Sequence, residues 1–326
     1  MKAMRTAYPV CQMLIINKRR CKDVYIINNS CIFAIMTLIV SWAALDCKNN
    51  GPSVASIYFA SDSRYSWTQS KQINDYGQKV FGCTNMPEIF AFCGDVVCPK
   101  TFIEKIVIQI DSTHFLSYEM NGHEKSMLIY DDFCCYLEKY EKQKIVENFQ
   151  MFYGTRACDG FHIFKFDYNK KLDCVKYLKY ILPNEYSDIV ICEGSGKNDF
   201  NELWTYHYGE KNFNYRTSRA VYQCLYETLS TTEEWTVGRI PQIVGLYRKF
   251  NSRFYGIIHD GKRYCIGSEG IVEVSNSAVV NHLNVEWRNE CFEIADPNCM
   301  KRMEGAQPQP FFQKKQLPGS PQNKTK

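Results

Sequence analysis

No Cys-x-x-Cys pair occurs in this chain, although it holds 16 cysteines. The nearest approaches, Cys93 with Cys98 and the adjacent Cys134 and Cys135, have no second half with His at ligand spacing, so no zinc module and no metal or other cofactor is expected. The cysteines are spread over a large chain and sit in apolar runs such as Ile189-Val-Ile-Cys192, which fits reduced thiols in a cytoplasmic protein better than a disulfide scaffold. An excess of one charge is also missing. The net charge is +4 over 326 residues. Much of that excess lies at the two ends, in Lys18, Arg19, Arg20 and Lys22 and in Lys314, Lys315, Lys324 and Lys326, which gives no basic face for nucleic acid. The six histidines are scattered. His162 and His259 fall within predicted strands and are read as structural.

What the chain does have is an ordinary globular composition, 45% hydrophobic and 23% charged, enough for one substantial core and a small addition. Its longest apolar stretch, Cys31 to Leu45, is short for a membrane span of about 20 residues. Preceded by basic residues and carrying Ala43 and Ala44 before Asp46, it has the form of a signal segment or anchor cut after Ala44. Split at Met36 it reads differently: Thr37 to Leu45 becomes a strand buried on both faces. Residues 1–36 are then a removable propeptide or upstream extension. The rest of the chain favours this second reading, with no membrane partner.

Downstream, Ser53 to Ala60, Lys79 to Cys83 and Ile89 to Cys93 read as strands. Helical periodicity follows over Lys100 to Asp111 and Ser126 to Lys144, where Asp131 and Asp132 form a polar face. Gln150 to Tyr153, Gly160 to Tyr168, Cys174 to Leu182 and Asp188 to Cys192 are further strands. Ser218, as N-cap, opens a helix to Leu229, and Ile240 to Arg248 and Phe254 to Ile266 are strands, the last bent at Asp260-Gly261. Residues 37–250 form the main domain and 251–304 an extension, polar and partly helical beyond Gly267. Residues 305–326 make a Pro/Gln/Lys-rich tail.

Four segments carry chemistry: Met36-Thr37-Leu-Ile-Val40, Phe59-Ala-Ser-Asp62-Ser63-Arg64, Gly77-Gln-Lys79-Val80 and Ala91-Phe-Cys-Gly94-Asp95. Each alone is an ordinary turn or strand end. In this order and spacing, with Gly194-Ser195-Gly196 and Glu233-Glu-Trp-Thr236-Val-Gly238, they resemble the N-terminal-nucleophile hydrolases of the proteasome β-subunit kind, including the bacterial HslV-type peptidases. The resemblance covers about Thr37 to Tyr247. It implies an α+β, four-layer α-β-β-α sandwich and a threonine peptidase, assembled as a homo-oligomer and often fed by an ATP-dependent unfoldase.

Position by position, the resemblance makes Thr37 the nucleophile and its freed α-amine the general base. Lys79 would sit beside the hydroxyl and Asp62 would orient Lys79, with Arg64 bracing that turn. The Gly94 N–H would face the oxyanion, Ser195 would bond the Thr37 amine, and Glu233 and Thr236 would hold the far side of the network. Three departures stand out: a longer hairpin between Thr37 and Asp62, Glu at 233 where the family has Asp, with Glu234 equally available, and Thr at 236 for Ser. Alternatives are a catalytically silent scaffold or sensor that keeps residues 1–36, and an amidase of the same class acting on small molecules.

Overall fold

The computed structural model describes residues 37–307 apart from 49–50, 68–69, 210–214, 269, 276–279 and 281–284. The 1–36 extension and all but the first three residues of the 305–326 tail lie outside them.

The first strand, β1 (Leu38–Lys48), shows why its sequence lacks polar alternation. Leu38, Val40 and Trp42 enter one core while Ile39 and Ala43 enter another, so neither face can be polar. It is central, bonded to β10 (Asp188–Gly194) on one side and β2 (Gly51–Asp62) on the other. The sheet continues through β11 (Pro241–Tyr247), β12 (Arg253–His259), β13 (Lys262–Gly267) and β14 (Gly270–Glu273), and β15 (Glu286–Arg288) pairs in parallel with β12. A cut after Ala44 would remove the heart of this sheet.

A second sheet runs β5 (Val80–Gly82), β6 (Glu88–Gly94), β7 (Phe149–Ala157), β8 (Gly160–Asn169) and β9 (Cys174–Tyr180), all antiparallel. Two-stranded pairs add β3 (Tyr65–Trp67) with β4 (Gln72–Asn74) and β16 (Ala295–Asp296) with β17 (Lys301–Arg302). The large sheets face each other through Ile39, Ile57, Phe59 and Val244 on one and Val80, Ile89, Ala91 and Phe152 on the other. Helices α1 (Val97–Ser112) and α2 (Gly122–Lys139) bury Phe102, Ile106, Ile129 and Phe133 against the five-stranded sheet. The short α3 (Lys197–Leu203) and α4 (Ser218–Thr231) contribute Phe200, Val221, Tyr222 and Leu225 to the core on the larger one.

The fold expected from the resemblance, an α+β four-layer α-β-β-α sandwich, is corrected by these proportions. Strand takes 41% and helix 25%, with only four helices among the described residues, so the architecture is mainly β, built from several antiparallel sheets. Part of the difference lies beyond Gly267, where the described residues add β14 to β17 to the polar, partly helical extension expected there. Their alternation is too short to register as a period in the sequence. The helix expected to start with Ser218 as cap is capped by Thr217, whose hydroxyl accepts from Ala220 N at 3.2 Å. No described helix is long and apolar enough to cross a membrane.

Candidate functional site

Thr37 stands at the head of β1, 3% exposed, where the ends of β2, β5 and β10 converge. Its Oγ1 lies 2.5 Å from Lys79 Nζ, and the same ammonium contacts Asp62 Oδ1 at 2.9 Å and Oδ2 at 3.0 Å. Neither Lys79 nor Asp62 has any exposed side-chain surface. Asp62 is further fixed by three backbone donors, Leu38 N at 2.9 Å, Arg64 N at 2.9 Å and Gly238 N at 2.8 Å. Such a buried carboxylate survives because its oxygens are fully engaged. Burial holds the Lys79 ammonium below its usual range, with Asp62 pulling in the opposite direction.

Arg64 ties this turn to two neighbouring loops. Its guanidinium takes Asp75 through Nε at 2.5 Å and Nη2 at 3.1 Å, and Nη1 reaches Trp235 O at 2.6 Å. The turn after β2 is thereby tied to the loop that carries Glu234 and Thr236.

On the other side of Thr37, its backbone N–H donates to Ser195 Oγ at 3.2 Å. Ser195 Oγ lies 2.7 Å from Thr236 Oγ1, and Thr236 donates to Glu234 Oε1 from both Oγ1, at 2.7 Å, and N, at 3.1 Å. With the Thr236 hydroxyl proton given to Glu234, the single Ser195 hydroxyl proton is left for Thr236 Oγ1 or for Thr37 O, which lies at 3.3 Å, and its lone pairs face the Thr37 nitrogen. The resemblance puts Glu233 here with Glu234 equally available, and the contact with Thr236 is made by Glu234. Only the second of the two adjacent glutamates curls back within the turn to meet Thr236; Glu233 instead lines a cavity of about 410 Å³ with Asp199, Glu202 and His207.

The glycines matter through space as well as chemistry. Gly194 has φ +106°, and a Cβ there would lie 2.0 Å from Thr37 O; the next glycine, Gly196, donates its N–H to that oxygen at 3.3 Å. Gly94 closes β6 with φ +96°, and a Cβ would lie 2.3 Å from Asn148 O. Both conformations suit glycine alone. Thr37 itself has φ +133°, rare for a β-branched residue.

All the polar residues of the predicted set except Glu233 thus meet around Thr37. Glu234, the alternative at that position, and Gly238, whose N–H bonds Asp62, join them from the same Glu233-to-Gly238 stretch. The described histidines form no part of this network, and His162 lies 2.9 Å from Asp159. Burial pushes the Cys93 thiol up, which keeps it unreactive. Among the described residues no three His, Cys, Asp or Glu side chains group as metal ligands. Chemically, a hydroxyl against a buried ammonium, with a hydroxyl relay at its own backbone nitrogen, can serve as a nucleophile once that nitrogen is a free amine. The chain matches no protein-family model and no curated protein.

Proposed function

We propose that this chain is a threonine-type N-terminal-nucleophile peptidase that works once Thr37 is freed as the N-terminus. The observation that supports it is the 2.5 Å contact of Lys79 Nζ with Thr37 Oγ1, held by a buried Asp62. Unlike the buried Lys125, which among the described residues meets only Glu88 and no hydroxyl, Lys79 spends part of its costly desolvated charge on the Thr37 hydroxyl.

In this mechanism the Thr37 amine, with an ordinary pKa of about 7.7 to 8.0, takes the hydroxyl proton, directly or through a water. Oγ1 bonds to the substrate carbonyl carbon and Lys79 steadies the developing oxyanion character at Oγ1. The Gly94 N–H receives the carbonyl oxyanion. The C–N bond then breaks, the leaving amine takes the proton from the Thr37 ammonium, and the acyl-enzyme ester is released by water. Ser195, Thr236 and Glu234 hold the amine with its lone pair toward Oγ1. A cytoplasmic homo-oligomer, supplied with unfolded protein by an ATP-dependent unfoldase, completes the proposal, because an open site on a free subunit would cleave indiscriminately.

The test is intact-mass and N-terminal analysis of the chain expressed with its own upstream sequence, followed by fluorogenic peptides. A product that begins at Thr37 and cleaves peptides, with Thr37→Ala inert, supports the peptidase. Cleavage of small acyl amides alone would move the assignment to an amidase, and retention of residues 1–36 with no turnover would favour the silent scaffold.

A further inference from the structure

Resting on the peptidase assignment above, we infer that Gln242 is a positioning residue that sets where the Lys79 ammonium sits relative to Thr37. Gln242 is 1% exposed and lies in β11 opposite Ser61 of β2. A side-chain amide offers two donor hydrogens and two acceptor lone pairs. Here all four are used, and every partner belongs to the Asp62–Lys79 apparatus. Oε1 accepts Lys79 N at 2.9 Å and Val80 N at 3.3 Å, and Nε2 donates to Asp62 O at 2.8 Å and Gly77 O at 2.9 Å.

These bonds tie three segments to one side chain: the end of β2, the entry to β5 and β11 itself. The Asp62 and Lys79 side chains meet each other, but Asp62 ends β2 in one sheet and Lys79 immediately precedes β5 of the other. Gln242 is the side chain that bonds to both backbones at once. No other residue type offers the same pattern at that reach. Glu loses both donors, Asn is shorter by one methylene, and Met or Leu loses every bond while leaving four buried backbone groups without their partner. Because burial lowers the Lys79 pKa and Asp62 is the main group opposing that, a shift in the Lys79 backbone weakens the pairing and makes the ammonium easier to discharge.

The experiment uses Gln242→Met, which keeps the length and removes all four bonds, and Gln242→Asn, which keeps the amide and withdraws it. In the full chain, Lys79 is titrated by 13C NMR of labelled lysine, with its signal assigned through Lys79→Arg. Both variants are expected to move the Lys79 titration to lower pH. In the form with Thr37 at the N-terminus, kcat falls by about 10²-fold, the loss expected of a misplaced catalytic group, with KM nearly unchanged and the alkaline limb of the pH profile displaced the same way. A purely structural glutamine would lower the melting temperature and leave the titration of the folded molecules where it is in the wild type; that result overturns the inference. Should Gln242→Met fail to fold, Gln242→Asn carries the same comparison. A wild-type protein with free Thr37 that cleaves nothing would remove the peptidase assignment, and the Lys79 titration would still decide the role of Gln242.

Discussion

Lys79 is a cation kept where burial alone would discharge it, and much of the site's behaviour follows from that one residue. Replacing it by Met leaves Asp62 as an uncompensated buried carboxylate, so the variant should lose about 3–5 kcal/mol of stability by urea unfolding as well as its activity. The wild-type pH response has two opposite signs. Lys79 titrates below its unfolded value of about 10.4, so between its folded and unfolded values the unfolded chain binds more protons. Its own contribution to stability therefore improves as pH rises through that window. On the proposed reading, activity that needs the ammonium falls over the same range, so the alkaline limb of kcat should come below pH 10.4; a profile flat to that pH would exclude the ammonium from the mechanism. Thr37, Asp62, Lys79, Ser195 and Thr236 were legible only through the order and spacing of segments that resemble one family, since each alone reads as an ordinary turn or strand end. Glu234 was not separable from Glu233, since the choice depends on how a turn curls. Gln242 left only the faint trace of an amide inside an apolar strand.

Among the elements, α2 shows how differently two kinds of fastening respond to mutation. Its first turn is closed by a capping box, with Asn121 Oδ1 accepting Glu124 N at 3.0 Å and Glu124 Oε2 accepting Asn121 N at 2.9 Å. One residue past that box, Lys125 reaches into the sheet to the wholly buried Glu88 at 2.7 Å, and Tyr153 donates to the same carboxylate at 2.6 Å. Burial pushes the Glu88 carboxyl up, and Lys125 and Tyr153 pull it back. Asn121→Ala should cost about 1 kcal/mol in thermal or urea melts. Lys125→Met should cost about 3–5 kcal/mol, because it strands a buried acid. The loop before β7 carries a separate pH response: burial and then Asp95 raise the Glu147 carboxyl from 4.5 to about 7. A folded value above the unfolded one means that its stabilisation is present below pH 4.5 and is lost as pH rises through about 7. Glu147→Gln should therefore stabilise the protein near pH 8 by about 1 kcal/mol, allowing for partial exposure, and do little near pH 4. Helices α1 and α2 were readable from apolar spacing. The start of α2 came earlier than its apolar period because caps, not periodicity, set helix ends.

For the whole molecule, the 251–304 segment is built into the larger sheet. β12 to β14 extend it, and beyond β15 the chain returns to set Phe292 into the core beneath β1. That ring stacks on Tyr222 at 4.8 Å and meets Trp42, Tyr58 and Tyr255 at 5.9 to 6.1 Å, with Arg288 over its face at 4.7 Å. Phe292→Ala should cost about 3–5 kcal/mol, read by urea unfolding. The sequence hid this contact because one aromatic residue in a polar stretch has no period, and its partners lie up to 250 positions away. Finally, the twisted φ of Thr37 bears on time as well as geometry. That torsion exists only while a carbonyl precedes the nitrogen, so hydrolysis of the Met36–Thr37 bond abolishes it along with a strain of about 1–3 kcal/mol. If the proposed cut at Thr37 takes place, the fold would act as a ratchet: the cut would run downhill, and resealing it would have to wind the backbone up again. A chain beginning at Thr37 should accordingly outlast one that keeps Met36 in urea by about that margin, and each molecule would pass only once from dormant to armed.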